Sequence, residues 1–431
     1  MAVYLFSLLA LMLILGMPIA VSLGLSLILV LFIGDFTMLF PMVPQRMFTS
    51  VDNFTFMAIP FFILAGNLMG KGGMSKRMIN FVQILLRRQP APLANITTGA
   101  SLFFGSISGS NPATVAAIGG LTIPHMKKKG YPAEVAAAVA ASSGTIGVIL
   151  PPSIPMVTYA VTANVSVGTM FMSGIVPGII FGVVMMIAHR FICVKYEPAD
   201  KNAPRVNFKE FWVAFREAIL ALFMPFLILG GIYGGVFTPT EAAAVACVYA
   251  FIISMFVFKE LKVSDLPEVF IRSAKNSAMI LFVISLSGPF AWFMTSQGIP
   301  GQIANAILGT FDNRIALLLM INIMLLVIGL FLETQAVILI LTPILLPIGA
   351  SLGMSPIILG MIIIINTSIG MTTPPMAVNV FVASSIAQVQ IEKIFRAVVP
   401  YFLVLVFVLL IFTYFPQILM FFPTLLGLSL F

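Results

Sequence analysis

Residues 105–112 read Gly105-Ser106-Ile107-Ser108-Gly109-Ser110-Asn111-Pro112, a polar, turn-forming octet in the middle of an apolar stretch. That stretch, 91–125, is bracketed by Arg87-Arg88 on one side and Lys127-Lys128-Lys129 on the other. Short basic segments stay on the cytoplasmic face of a membrane, because the Lys/Arg bias sets orientation during insertion. With both flanks on one face, the stretch has to enter the membrane and return. Non-helical backbone at membrane depth survives only where protein or a water-filled cavity covers it. The octet therefore predicts the tip of a re-entrant hairpin.

The composition demands a membrane. Of the 431 residues, 60% are hydrophobic and 8% charged, with a mean hydropathy of +1.13, whereas a soluble domain carries about a quarter charged residues. A soluble enzyme and a nucleic-acid binder are excluded, leaving an all-α polytopic membrane protein. The net charge of +8 comes from short segments at 71–88, 127–129, 190–216, 259–275 and 393–396, with only Arg46 and Arg314 outside them. All five clusters are assigned to the cytoplasm. Crossings are expected near 2–33, 53–70, 132–160, 169–189, 218–236, 240–258, 276–297, 355–385 and 397–421. Gly16-Met17-Pro18 breaks or tilts the first run, which has no basic n-region or cleavage pattern and reads as a retained span. Nine crossings place the N-terminus in the cytoplasm and the C-terminus in the periplasm. A second hairpin, 315–350, carries Glu333-Thr334-Gln335 at its centre and enters from the outer face.

A shift of 223 residues aligns two parts of the chain. It pairs Ala113 with Ala336, Pro124 with Pro347, Gly130 with Gly353, Ile146-Gly147 with Ile369-Gly370, and Pro151-Pro152 with Pro374-Pro375. Five crossings lie between the copies, an odd number, so the second copy is expected to be inverted. The units are then 1–217, with hairpin 91–125, broken helix 132–160 and basic loop 190–217, and 218–431, with hairpin 315–350 and broken helix 355–385. Inverted repeats with interrupted helices are the pattern of secondary transporters, whose sites lie near the midplane where the copies meet.

The chemistry at those positions suits an ion and an anion. Pro-Pro removes two backbone donors, so carbonyls near Gly147 and Gly370 lose helical partners. Such oxygens, with Ser, Thr and Asn side chains, suit a hard monovalent cation such as sodium. Candidate sodium ligands are Ser108, Gly109, Ser110, Asn111, Thr145, Gly147, Glu333, Thr334, Ser368, Gly370, Thr372 and Thr373. Half-helix N-termini beyond each tip offer amides and a positive dipole end to a carboxylate. Candidate substrate contacts are Asn111, Thr114, Pro152, Ser153, Thr334 and Pro375. Two bland readings stand beside these. Glu333 could simply cap the second hairpin's return helix, and Thr145, Ser368, Thr372 and Thr373 could back-bond to helix carbonyls. Ser106 is assigned to packing, and His125 and His189 to the cytoplasmic boundary. Sodium is the only metal implied and no organic cofactor is expected. With no P-loop, direct ATP coupling is not expected.

These residues resemble the large membrane subunit of tripartite ATP-independent periplasmic (TRAP) transporters over essentially the whole chain. The resemblance is carried by Gly105-Ser-Ile-Ser-Gly-Ser-Asn-Pro-Ala-Thr114, Pro132-Ala-Glu134, Ser143-Gly-Thr-Ile-Gly147 and Pro151-Pro-Ser-Ile-Pro155. Gly329-Leu-Phe-Leu-Glu-Thr334 and Gly370-Met-Thr-Thr-Pro-Pro375 carry it in the second copy. It implies a bacterial inner-membrane protein, a small four-helix membrane subunit as partner, and a periplasmic solute-binding protein that delivers an organic acid. It also implies sodium-driven, elevator-type import of a carboxylate such as a C4-dicarboxylate or, by overall likeness, sialic acid. The competing reading is a stand-alone sodium/dicarboxylate symporter that needs no binding protein.

Overall fold

The structure is a computed structural model that describes residues 1–199, 206–310 and 313–427; the part of the basic loop at 200–205 lies outside the described residues. Every regular element among them is helical. The chain opens with α1 (Ala2–Ile14), α2 (Ile19–Ile33), α3 (Met42–Val51), α4 (Ala58–Lys71) and α5 (Met74–Leu86). The first hairpin follows as α6 (Pro92–Ser108), α7 (Asn111–Thr114) and α8 (Gly120–Lys128), and the first broken helix as α9 (Ala133–Ser143) and α10 (Ile154–Ala163). Next come α11 (Val167–Ile192), α12 (Phe208–Tyr233), α13 (Pro239–Ile252), α14 (Leu266–Ser296) and α15 (Ile299–Thr310). The second hairpin is α16 (Arg314–Phe331) with α17 (Thr334–Ser351), the second broken helix α18 (Pro356–Gly370) with α19 (Val378–Ala387), and α20 (Ile391–Tyr414) and α21 (Phe421–Leu425) end the chain. Eight helices of the described residues are long and apolar enough to cross a membrane.

Both hairpins return to the face they left. Ala91 N donates to Glu197 O below the first hairpin's rising arm, and Lys127 Nζ reaches Ala387 O below its falling arm. At the opposite end of the molecule Tyr414 OH donates to Ile315 O at the foot of α16, and Gly349 near the end of α17 packs on Leu359.

Helix directions can be read from side-chain contacts. Thr240 Oγ1, Cys247 Sγ and Ser254 Oγ donate to the carbonyls of Phe54, Phe61 and Leu68. Each pair is 186 residues apart and successive pairs advance by seven, so these two helices run parallel, as the expected crossings at 53–70 and 240–258 require. Phe181 stacks on Phe412 and His189 bonds Tyr401, so α11 and α20 run antiparallel.

The first run departs from expectation. Instead of one crossing over 2–33, α1 and α2 fold back on each other through Gly16, at φ +78°, and Pro18. A Cβ on Gly34 would lie 3.0 Å from the Met1 methyl, so both ends of the run share a face. The physical reason is length: at 1.5 Å per residue each helix reaches only about 20 Å, short of a hydrocarbon core of about 30 Å. Apolar packing fixes the pair on α14, through Gly24 against Leu286 and Phe6 against Phe290. Run 2–33 therefore begins and ends on one side of the molecule. Met1 lies toward the Ser296 end of α14, opposite the end where Lys71 pairs with Glu268 at 3.1 Å. Tyr414, at the end of α20, lies beside Ile315. α12 also begins earlier than the expected crossing at 218 and runs unbroken through positions 217 and 218.

Candidate transport site

The first tip is a backbone device. Gly109 ends α6 at φ +57°, and a Cβ there would come 2.9 Å from Pro152 O and 3.2 Å from Ser153 Cα. Only glycine satisfies both the left-handed turn and the contact with the first break. Gly105 sits one step below: its Cβ would meet Gly147 Cα at 2.9 Å. In the second copy a Cβ on Gly370 would meet Gly329 C at 2.8 Å. Each rising arm therefore touches its broken helix backbone to backbone.

Asn111 joins the two copies. Its Oδ1 accepts from Val148 N at 3.0 Å, and its Nδ2 donates to Ser368 Oγ at 2.8 Å and to Met371 Sδ at 3.5 Å. Ser368 Oγ in turn donates to Thr145 O at 2.7 Å. Thr334 Oγ1 reaches the same Met371 sulfur at 3.5 Å, so one thioether contacts both tips. Asn111, Thr334, Ser368 and Thr145 are all buried.

The other expected residues divide. Thr145, Thr372 and Thr373 back-bond to Ser142 O, Ile369 O and Gly370 O, so their hydroxyl protons are committed to the helix while the oxygens keep lone pairs for a ligand. Ser106 back-bonds to Phe103 O, consistent with packing. Thr114 Oγ1 donates to Ser110 O and bonds Ser108 Oγ, bracing the tip from within. Gly147 is held against Ser110 O and Thr114 Oγ1, where a Cβ would not fit. Pro152 is buried beside Gly109, while Pro375 is exposed. Glu333 precedes α17 without making a capping hydrogen bond, is half-buried, and faces a cavity. Two buried polar atoms near the tips have no partner among the described residues: Ser153 Oγ and Gln335 Oε1. Buried polar groups are normally satisfied, so these two are open to a ligand. Sequence reasoning included Ser153 and missed Gln335.

The cavity occupies about 620 Å³ between the tips and a wall made by α4 and α14. Ser108, Ser110, Glu333 and Met371 line it from the hairpin side, and Asn67, Lys71, Glu268, Arg272 and Asn276 from the wall. Asn67 Nδ2 donates to Ser273 Oγ at 2.8 Å and ties the wall together. Lys71 is balanced by Glu268 and Asp265, whereas Arg272 makes no ion pair among the described residues. Lys71 and Arg272 face the two carboxylates Asp265 and Glu268 at the basic face, so the charges there balance, and Arg272 is the cation among them left without an ion-pair partner and available to an anion. Of the expected substrate contacts, Asn111, Thr114, Pro152, Ser153, Thr334 and Pro375 are not in this cavity's described lining; Ser110 and Glu333, expected as ion ligands, are. The wall residues carried no sequence signal, since they come from helices about 200 positions apart.

His189 is corrected. It is wholly buried, with Nε2 2.8 Å from Thr98 Oγ1 and Nδ1 3.1 Å from Tyr401 OH. α11 runs on to Ile192, so Arg190 reaches the surface while the neighbouring imidazole turns inward.

Comparison with known proteins agrees with the resemblance. The family described as "Tripartite ATP-independent periplasmic transporter, DctM component" matches residues 6–418. An isethionate TRAP transporter permease protein of Oleidesulfovibrio alaskensis is 46% identical over 97% of this chain, which spans 66% of that protein. A C4-dicarboxylate TRAP transporter large permease protein of Rhodobacter capsulatus is 38% identical, with 99% of each chain covered. A sialic acid TRAP transporter large permease protein of Vibrio cholerae is 34% identical over 88% of this chain and 89% of its own. Among solved structures, the Alcanivorax borkumensis YdaH transporter superposes with a TM-score of 0.56 at 17% identity, covering 87% and 90% of the two chains, a likeness of fold. This multi-pass membrane protein belongs to the DctM family of large permease subunits of TRAP transporters.

Proposed function

We propose that the chain is the conducting subunit of a sodium-coupled importer in a bacterial inner membrane. Its cargo is an anionic organic solute handed over by a periplasmic binding protein, and a small four-helix membrane subunit is its partner. The observation that carries this reading is the junction of both hairpin tips and both broken helices through Asn111, Ser368 and Met371, beside a cavity with the unpaired guanidinium of Arg272 at its mouth. Sodium is held by backbone carbonyls of the two breaks together with Ser108, Ser110 and the tip glycines. Glu333 belongs with the ion, since a carboxylate repels an anionic solute, and Asn67, Arg272 and Asn276 face the solute. The relatives named for isethionate, C4-dicarboxylate and sialic acid share an anionic group, and Arg272 suits any of them. The cavity opens toward the basic face, which the Lys/Arg bias assigns to the cytoplasm, so both termini are periplasmic in this reading.

Proteoliposomes holding the chain and its small subunit test this directly. Uptake of a carboxylate or sulfonate solute should require sodium outside and the loaded binding protein. Equal uptake in choline at fixed pH would defeat sodium coupling. Equal uptake without the binding protein would identify a stand-alone symporter instead.

A further inference from the structure

Two buried polar clusters lie away from the tips, and each has the same construction. In the first, Thr98 on α6 bonds Ser143 on α9 at 2.8 Å and His189 on α11 at 2.8 Å. In the second, Asn322 on α16 accepts from Asn366 on α18 at 2.9 Å and from Thr413 on α20 at 3.2 Å. The sequence separations agree: 45 and 91 in the first, 44 and 91 in the second. All six side chains are buried. Each cluster joins a hairpin's rising arm, the first half of its broken helix and the long helix that follows.

The glycine contacts give this arrangement its meaning. Gly105 is seven residues beyond Thr98, and Gly329 is seven beyond Asn322; Gly147 and Gly370 are each four beyond Ser143 and Asn366. Every arm therefore meets its broken helix at two points, a glycine pair near the tip and a polar clasp two turns away. A glycine pair brings backbones close but has no side chains to stop one helix rotating on the other. A directional hydrogen bond two turns off removes that rotation.

We propose that the two clasps are positioning devices that hold each hairpin tip in register with its break and so set the affinity of the coupling-ion sites. This rests on the sodium reading above. Supporting residues of this kind commonly change ion affinity about 10- to 100-fold when lost. α20 serves both clasps, through Thr413 directly and through Tyr401 bonded to His189, so one helix links the two hairpins.

The test uses purified chain with its small subunit and binding protein. Sodium is titrated against choline, reading both uptake and the sodium-induced rise in melting temperature. Asn322→Ala should raise the sodium concentration for half-maximal effect by about tenfold or more in both readouts. Asn322→Thr combined with Asn366→Ser, which places the Thr–Ser pair of the first clasp at the second site beside Thr413, should bring it back to within about threefold of the parent. Thr413→Val, which removes the bond to Asn322 and the back-bond to Leu409 O but leaves the Asn322–Asn366 bond, serves should Asn322→Ala fail to fold, and is expected to shift the midpoint in the same direction. Unchanged sodium midpoints in folded variants, or a double variant no better than Asn322→Ala, would overturn the proposal. A parent protein indifferent to sodium would defeat the coupling reading instead. The clasps would then be judged on the KM for solute, which Asn322→Ala should raise and the double variant restore.

Discussion

The hydroxyl of Ser368 donates to the carbonyl oxygen of Thr145 across 2.7 Å, and the two residues are 223 positions apart, the period of the sequence repeat. Equivalent positions of the two copies therefore touch at the centre of the molecule. Asn111, which donates to Ser368, and Thr334, which shares Met371 with it, are also 223 apart.

Ser368→Ala should destabilise the protein by about 1–3 kcal/mol, because it strips Thr145 O of a donor and Asn111 Nδ2 of an acceptor in a buried place. Thermal unfolding of the purified chain measures this. A melting temperature equal to the parent's would mean that the inter-copy bond contributes nothing.

Asn111→Ala should harm transport more than Thr334→Ala. Asn111 holds a backbone amide, a hydroxyl and a sulfur, whereas Thr334 makes one long bond to a thioether, a weak acceptor. Both variants should insert normally and show weakened sodium activation, with the larger rightward shift for Asn111→Ala. A reversed order in sodium titrations of uptake would contradict the bracing role.

Gly105→Ala and Gly370→Ala should each abolish or nearly abolish uptake. Their added methyl groups meet backbone atoms at 2.9 and 2.8 Å, and overpacking costs about 1–3 kcal/mol where neighbours cannot yield. Gly120→Ala is the control, since nothing lies within 4 Å of its Cβ. Normal uptake by Gly105→Ala would show that the arm slides freely on the break.

The hairpins and breaks were legible because their signals are local. Gly109, Asn111, Pro151-Pro152 and Pro374-Pro375 announce a turn or a lost donor wherever they occur. Run 2–33 was not, because a glycine and a proline in the middle of 32 apolar residues fit both a tilted crossing and a fold-back. Packing on α14, through Leu286 and Phe290, decides between them. His189 was misplaced for a related reason: Arg190 marks a boundary in hydropathy, yet adjacent helical residues point about 100° apart. The cavity wall and both clasps draw on helices far apart in the chain, so no window of sequence contains them.

The foot of the first hairpin offers a separate test. Glu197 O accepts from Ala91 N, and its carboxylate takes Leu93 N at 3.1 Å and Tyr131 OH at 2.9 Å. A carboxylate on the first amides of α6 acts as a cap supplied from elsewhere in the chain. Glu197→Ala should cost about 1 kcal/mol, as loss of a cap does, and expose 87–92 to protease. Glu197→Gln, which keeps an acceptor oxygen, should be protected at parental rates or close to them.

Arg272 is the residue on which the sign of the cargo turns. Lys71 shares the mouth but is held by Asp265 and Glu268, so Arg272 is the cation there left to meet an anion at short range. It is exposed, so its field is screened by salt and acts over about 8–10 Å. Arg272→Gln should lower uptake of an anionic solute several-fold while leaving melting temperature and sodium midpoint unchanged, because no partner among the described residues loses a bond. Arg272→Lys should retain most of the activity. Raising inert salt should reduce the parent's uptake toward that of Arg272→Gln, since both treatments weaken the same attraction. Parental uptake by Arg272→Gln at low salt would remove the electrostatic basis for assigning an anion to this cavity.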